Sequence, residues 1–207
     1  MGAVYKKELK SYFSNMTGYI SVALILMLAV PIVTMKSFAE ERHQKTDLLL
    51  YTLPLKTSQI VLGKYLAMIT VVAIPCVILG FYPLILRSFG NVPLGTAYGT
   101  LLAFFLLSCT LSAVGMLISS LTDNQAVAAG LCFVVMLLLY FMNSLAGFIS
   151  DSDSLLCTVM ESLSVFERFY TFVNGVFDLT AVLYFGSIIG VCLFVTVQMM
   201  EKRRWNG

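Results

Sequence analysis

The sequence predicts an all-α, polytopic transmembrane helical bundle with about five apolar spans, and three observations predict it. Only 12% of the 207 residues are charged, about half of the roughly 25% that soluble domains carry. The apolar residues make up 59% of the chain and come in long blocks, with a mean hydropathy of +0.90. The remaining charges gather in a few short segments between those blocks. A segment crossing lipid must satisfy its backbone internally, so long apolar blocks read as helices. Residues 1–207 form a single membrane domain in this reading.

The elements follow in order. In residues 1–16, Tyr5, Leu9, Tyr12 and Phe13 share one helical face and Lys6, Lys7 and Lys10 surround the other. That pattern predicts an amphipathic helix lying at the cytoplasmic membrane surface. A plain basic flank before the first span would lie on the same surface. Thr17–Met35 is just long enough to cross a core of about 30 Å, which takes ~20 residues. Reading it as a signal peptide cut after Ser37-Phe38-Ala39 makes it unusually long and puts Lys36 beside the cut. The sequon Asn15-Met16-Thr17 is read as accidental.

Residues 36–64 form a charged island between apolar blocks. Ser37 and Glu40 fit a capping box that opens a helix ending before Pro54. Leu49 and Leu53 share a face with Thr46 and Leu50, among Glu40, Glu41, Arg42 and Lys45. Leucines exposed among charges at the membrane face suit another protein's groove; leucines packed on the bundle beneath a solvated loop fit the spacing equally well. A second start signal at Thr57 or Ser58 leads into the span Tyr65–Leu86, where Pro75 and Pro83 are expected to bend the helix. Three further spans follow: Tyr98–Ser120, Gln125–Ile149 and Ala181–Met200. Residues 150–180, between the last two, are read as amphipathic helices outside the membrane. There Leu156, Val159, Met160 and Leu163 line one face, and Phe166, Phe169, Tyr170 and Val173 another.

Basic residues set the orientation, since Lys and Arg in short loops favour the cytoplasm. The N-terminus, the island and the tail Lys202-Arg203-Arg204 are basic, and only Arg87 and Arg168 remain for the other side. Arg87–Ala97 is then outside, Leu121–Asn124 inside, Ser150–Thr180 outside and the tail inside. Both termini are expected in the cytoplasm. One parity conflict results: a single span, Thr17–Met35, separates two segments that both belong inside. It is resolved by an outside N-terminus, by a hairpin bent near Pro31, or by loss of a second span.

What the sequence lacks excludes several functions. No ionisable residue lies in the middle of a span, although ion-coupled carriers keep such groups at a cost of at least ~2.5–3.5 kcal/mol each. Gly63-Lys64 lacks the earlier glycine and the following Ser or Thr of a phosphate-binding loop. His43 is the sole histidine, which excludes paired-histidine metalloprotease chemistry. Cys76, Cys109, Cys132 and Cys192 lie within spans and behave as small apolar side chains, while Cys157 has no evident partner. Gly186–Gly190, Ala126–Gly130 and Ser108–Ser112 have the small-x-x-x-small spacing of close helix contacts, within the subunit or across a dimer seam.

Glu40-Glu41-Arg42, Lys45-Thr46-Asp47, Leu49-Leu50, Pro54 and Gly63-Lys64-Tyr65 resemble the signature of ABC-2 type exporter permeases. The likeness is closest to permeases of gliding-motility and nitrous-oxide-reductase maturation systems. It runs from Tyr5-Lys6-Lys7-Glu8-Leu9 through Ile118–Gln125, Phe166–Phe169 and Gly175–Leu179 to Glu201–Trp205. The resemblance implies a permease without its own catalytic groups or cofactor, whose coupling helix docks on a separate ATPase that holds ATP and magnesium. Carried over residue by residue, Glu40, Glu41, Arg42, Thr46, Asp47, Leu49, Leu50 and Pro54 form that coupling set. It also implies a second permease copy, a bacterial plasma membrane and no nucleic-acid partner.

The family usually has six spans. Here Thr17-Gly18-Tyr19 looks like the start of the first and Pro31–Met35 like the end of the second, about thirty residues short of two spans and their loop. A structural anchor that tethers a cytosolic complex is the alternative to an exporter, and an intramembrane enzyme lacks the groups it would need.

Overall fold

The computed structural model describes residues 34, 38, 39, 41, 56–87, 94–148, 165–173 and 178–206. Its five complete helices are α1 (Thr57–Arg87), α2 (Leu94–Leu121), α3 (Gln125–Phe148), α4 (Val165–Val173) and α5 (Leu179–Asn206). Strands are absent among the described residues. Four of the helices, all but α4, are long and apolar enough to cross a membrane. The expected fifth span, Thr17–Met35, lies outside the described residues except for Thr34, as do the amphipathic helix in 1–16 and most of the island.

Local chemistry accounts for where the helices begin. At α1 the Lys56 N–H donates to Gln59 Oε1 (3.3 Å), the returning half of a capping box. The cap is therefore Lys56, one residue before the expected Thr57 or Ser58, and Thr57 is buried instead. Asn124 caps α3 by accepting from the Ala126 N–H at 3.0 Å, so α3 begins at Gln125 as the sequence predicts. Asp178 caps α5 by accepting from the Thr180 N–H at 2.9 Å. Bonds from the Thr180 hydroxyl and N–H, with a smaller pull from Arg168, hold the Asp178 carboxyl below the usual carboxylate range.

α1 continues as one helix through Pro75 and Pro83. Each proline leaves the carbonyl four residues earlier without its donor. Tyr98 Oη donates to the Gly80 carbonyl at 3.2 Å, next to the rung that Pro83 removes. At 31 residues, α1 is about 46 Å long and exceeds a hydrocarbon core of about 30 Å.

The bundle is built around α2, which touches each of the other four helices. The burial figures decide its place: 61% of its apolar window is buried, against 17–22% for α1, α3 and α5. Those three helices turn Leu66, Ile78, Phe81, Leu138, Leu183 and Phe194 outward. Such a surface suits lipid, which solvates aliphatic side chains as well as a protein core does. Of the serines and threonines buried on α2, Ser108, Thr110, Ser112 and Ser120 are satisfied by donating to their own helix; Ser108 bonds the Phe104 carbonyl at 2.7 Å and Ser112 the Ser108 carbonyl at 2.8 Å.

Two cores lie along α2. Toward its start, Ala103, Leu107 and Leu111 pack with Cys132, Met136, Phe166, Phe172, Ala181 and Phe185. Toward its end, Ala113 and Met116 pack with Phe38, Val61, Tyr65, Met68 and Met200. The sequence places Phe166, Phe169, Tyr170 and Val173 on one face of α4. In the structure Val165, Phe166 and Phe172 are buried. The burying face is broader than one stripe because α4 meets α2, α3 and α5 at once.

Candidate functional site

The starts of α1 and α3 and the ends of α2 and α5 meet at one end of the bundle, and the root of the island is fastened there. Lys56, Lys64, Lys202, Arg203 and Arg204 lie at this end, while the other described cations, Arg87 and Arg168, lie at the opposite one. Thr34, Ala39 and Glu41 are helical and Phe38 sits in a turn.

Three contacts hold this root. The first is a close approach to α2: the Thr34 side chain occupies the space beside Gly115, where an added Cβ would come within 2.6 Å of Thr34 Oγ1. Thr34 Oγ1 also lies 3.7 Å from Cys132 Sγ of α3. The second is a pair of hydrogen bonds in which the N–H groups of Phe38 and Ala39 donate to Ser119 Oγ, at 3.2 and 3.1 Å. The first N–H groups of a helix have no partner within it, and a hydroxyl oxygen is the usual cap. Here the hydroxyl comes from α2, about eighty residues away.

The third is ionic. Lys64 pairs with Glu41, and its ammonium lies 4.3 Å from the centroid of the buried Phe38 ring. The Lys64 side chain is 18% exposed, so the pair is partly desolvated and screened less than a surface pair. A cation over an aromatic face adds ~0.5–2 kcal/mol, more as water is excluded.

The same corner is closed from α5. Arg203 donates through Nη1 to Asp123 Oδ1 at 2.7 Å and through Nη2 to the Leu121 carbonyl at 3.2 Å. It thus neutralises an acid in the α2–α3 turn and satisfies a carbonyl at the end of α2, where a cation also suits the helix dipole. Met200, one turn earlier, is buried against the same cluster as Phe38.

Of the residues singled out from sequence, Glu41 is placed in this site. Glu40, Arg42, Thr46, Asp47, Leu49, Leu50 and Pro54 lie outside the described residues, as does the capping pair Ser37 and Glu40. Of the small-residue motifs, Ser108–Ser112 is buried within the bundle on α2, whereas Ala126 is exposed and a Cβ on Gly130, Gly186 or Gly190 would meet nothing within 4 Å. The latter positions therefore make no close contact within the described chain. The glycine that admits a neighbour is Gly115, which forms a small-x-x-x-small pair with Ser119 but is not among the pairs singled out from the sequence. Ser119 was also missed, although it lies in the Ile118–Gln125 run that carries the resemblance; a serine near a helix end gives no local sign that it caps a distant segment.

Among the described residues no group of three His, Cys, Asp or Glu side chains is placed to hold a metal ion. Cys76, Cys109, Cys132 and Cys192 are free thiols.

Four long apolar helices, three of them around a central one with buried serines and threonines, define a multi-pass membrane protein. A family model described as ABC-2 family transporter protein matches residues 3–200, so the chain belongs to the ABC-2 family of transporters as a membrane-embedded permease. A search of curated proteins finds no match to it. Family membership implies an ATP-binding partner subunit and a lipid bilayer.

Proposed function

We propose that this chain is the transmembrane subunit of an ATP-driven exporter, coupled through residues 36–64 to ATP hydrolysis in a separate subunit. In this reading the chain is not itself an enzyme and holds no cofactor; ATP and magnesium belong to the partner. Two permease copies and two ATPases complete the assembly in a bacterial plasma membrane. By the positive-inside rule, the end carrying Lys56, Lys64, Lys202, Arg203 and Arg204 faces the cytoplasm, with both termini on that side. The nearest branch is the gliding-motility and nitrous-oxide-reductase maturation permeases.

One observation carries the reading: the island's root is bonded to both α1 and α2, through Lys64 and Ser119. A tether that served only to recruit a cytosolic complex would not need bonds to two spanning helices. Glu40, Glu41, Arg42, Thr46, Asp47, Leu49, Leu50 and Pro54 supply the docking surface, with the two leucines as apolar anchors.

The test is to co-express the chain with its ATPase and replace Leu49 and Leu50 together by alanine. Capture of the ATPase on the purified permease should fall at least about tenfold, as loss of paired apolar anchors does at other interfaces. Unchanged capture and unchanged ATP hydrolysis would remove the coupling role from the island. Capture of a partner without any ATP hydrolysis would establish the structural anchor instead.

A further inference from the structure

The island's docking surface is one half of a coupling device, and the other half must pass its movement into the membrane. The bonds at its root identify the residues that can do so. The N–H groups of Phe38 and Ala39 converge on one acceptor, Ser119 Oγ, in a buried setting. Buried backbone donors left without a partner cost about 1–3 kcal/mol each, so this root follows Ser119 wherever the end of α2 goes. Lys64 ties Glu41 to α1 through an ion pair and contacts the Phe38 ring between them. The two attachments lie on different spanning helices, so displacing the root loads both.

We propose that Ser119 and Lys64 are positioning residues for energy coupling, holding the root of residues 36–64 so that movement of the docked segment reaches α2 and α1. This rests on the exporter reading above. Ser119 touches no residue of the docking surface, so changing it should leave the ATPase bound and active while severing its effect on the spans; Lys64 pairs with Glu41 of that surface, so its variants are compared only after ATPase capture is shown to match native.

The experiment uses the full chain in complex with its ATPase, in lipid nanodiscs. Nitroxide labels are carried on unnatural residues at positions 87 and 179, at the end of α1 and the start of α5, away from the island. The distance between them is measured before and after trapping with Mg-ATP and vanadate. In Ser119→Ala and Lys64→Met, the trapped distance change should shrink threefold or more while ATP hydrolysis stays within about twofold of native, a range in line with couplings of this kind. Ser119→Thr keeps a hydroxyl and Lys64→Arg keeps a cation, so both should restore most of the change.

If Ser119→Ala fails to assemble, the Lys64→Met and Lys64→Arg pair decides alone. An undiminished distance change in the Ala and Met variants would overturn the proposal. So would an equal loss in the conservative variants, or a native complex that hydrolyses ATP with no change between the labels. Failure of the native chain to bind an ATPase would instead overturn the exporter reading, and this inference with it.

Discussion

The two ends of α2 are held by different chemistry. Around its first half the contacts are almost wholly apolar: Ala103, Leu107 and Leu111 pack against Phe166, Phe172, Met136 and Phe185. Around its second half, apolar packing is joined by a hydroxyl cap, an ion pair and an arginine clamp. The first kind of contact is short-ranged and keeps no memory of direction, because dispersion is nearly isotropic. The second fixes particular atoms against each other, and weakens with salt or on loss of a single group. The molecule therefore has an end suited to staying packed and an end suited to being pushed.

That contrast can be broken in stages. The largest effect is expected from Phe185→Ala, which empties a fully buried position in the apolar core. Cavity formation should cost about 2–4 kcal/mol, toward the low side for an aromatic because lipid-embedded cores lack the water-driven share. Thermal unfolding in detergent should show the loss equally at low and high salt; a strong salt dependence would mean that the apolar end is not held by packing.

Gly115→Ala comes next. The added methyl meets Thr34 at less than 3 Å, and overpacking of this kind costs about 1–3 kcal/mol. The island root should loosen while the apolar core stays intact, which limited proteolysis between α5 and residues 36–64 would reveal as faster cutting in the island alone. Equal acceleration at both places would show that the two ends are not separable.

The smallest effect belongs to Arg203→Ala. Its partner Asp123 is 73% exposed, and exposed pairs contribute only about 0–1 kcal/mol. A melting-point loss that disappears above about 0.5 M salt, where the Debye length falls to a few ångströms, would mark the clamp as electrostatic. A loss that persists in salt would assign it to the Leu121 carbonyl bond.

Much of this architecture was legible in the sequence, and the reason is physical. Lipid forces apolar residues into blocks of fixed minimum length, so Tyr98–Ser120 and Gln125–Ile149 each lie within a few residues of a helix, while the helix over Tyr65–Leu86 starts eight residues earlier, at Thr57. The start at Gln125 could be read directly because Asn124 is a local cap. What could not be read was pairing at a distance. Ser119 meets Phe38 and Ala39 across about eighty residues, and no periodicity encodes that meeting. The small-residue rule chose Gly186 and Gly190 because it counts side-chain volume without knowing which face of a helix has a neighbour; Gly115, which has the same spacing with Ser119 and was not chosen, is the one that does. The broad buried face of α4 was missed for a related reason, since a helix lodged among three others buries more than one stripe.

The length of α1 has a mechanical consequence. Tyr65 Oη donates to the Cys109 carbonyl of α2 at 3.1 Å, and Tyr65, Val61 and Met68 are buried beside it, so α1 is gripped near its first third. From Tyr65 the helix extends about 12 Å back to Thr57 and about 33 Å forward to Arg87. With the Tyr98–Gly80 bond released, it is a lever with unequal arms: a tilt of about 5° that shifts the short end by roughly 1 Å carries the far end roughly 3 Å. A displacement no larger than one bond length beside Thr57 thus becomes, at the opposite membrane surface, an opening of the width of an atom.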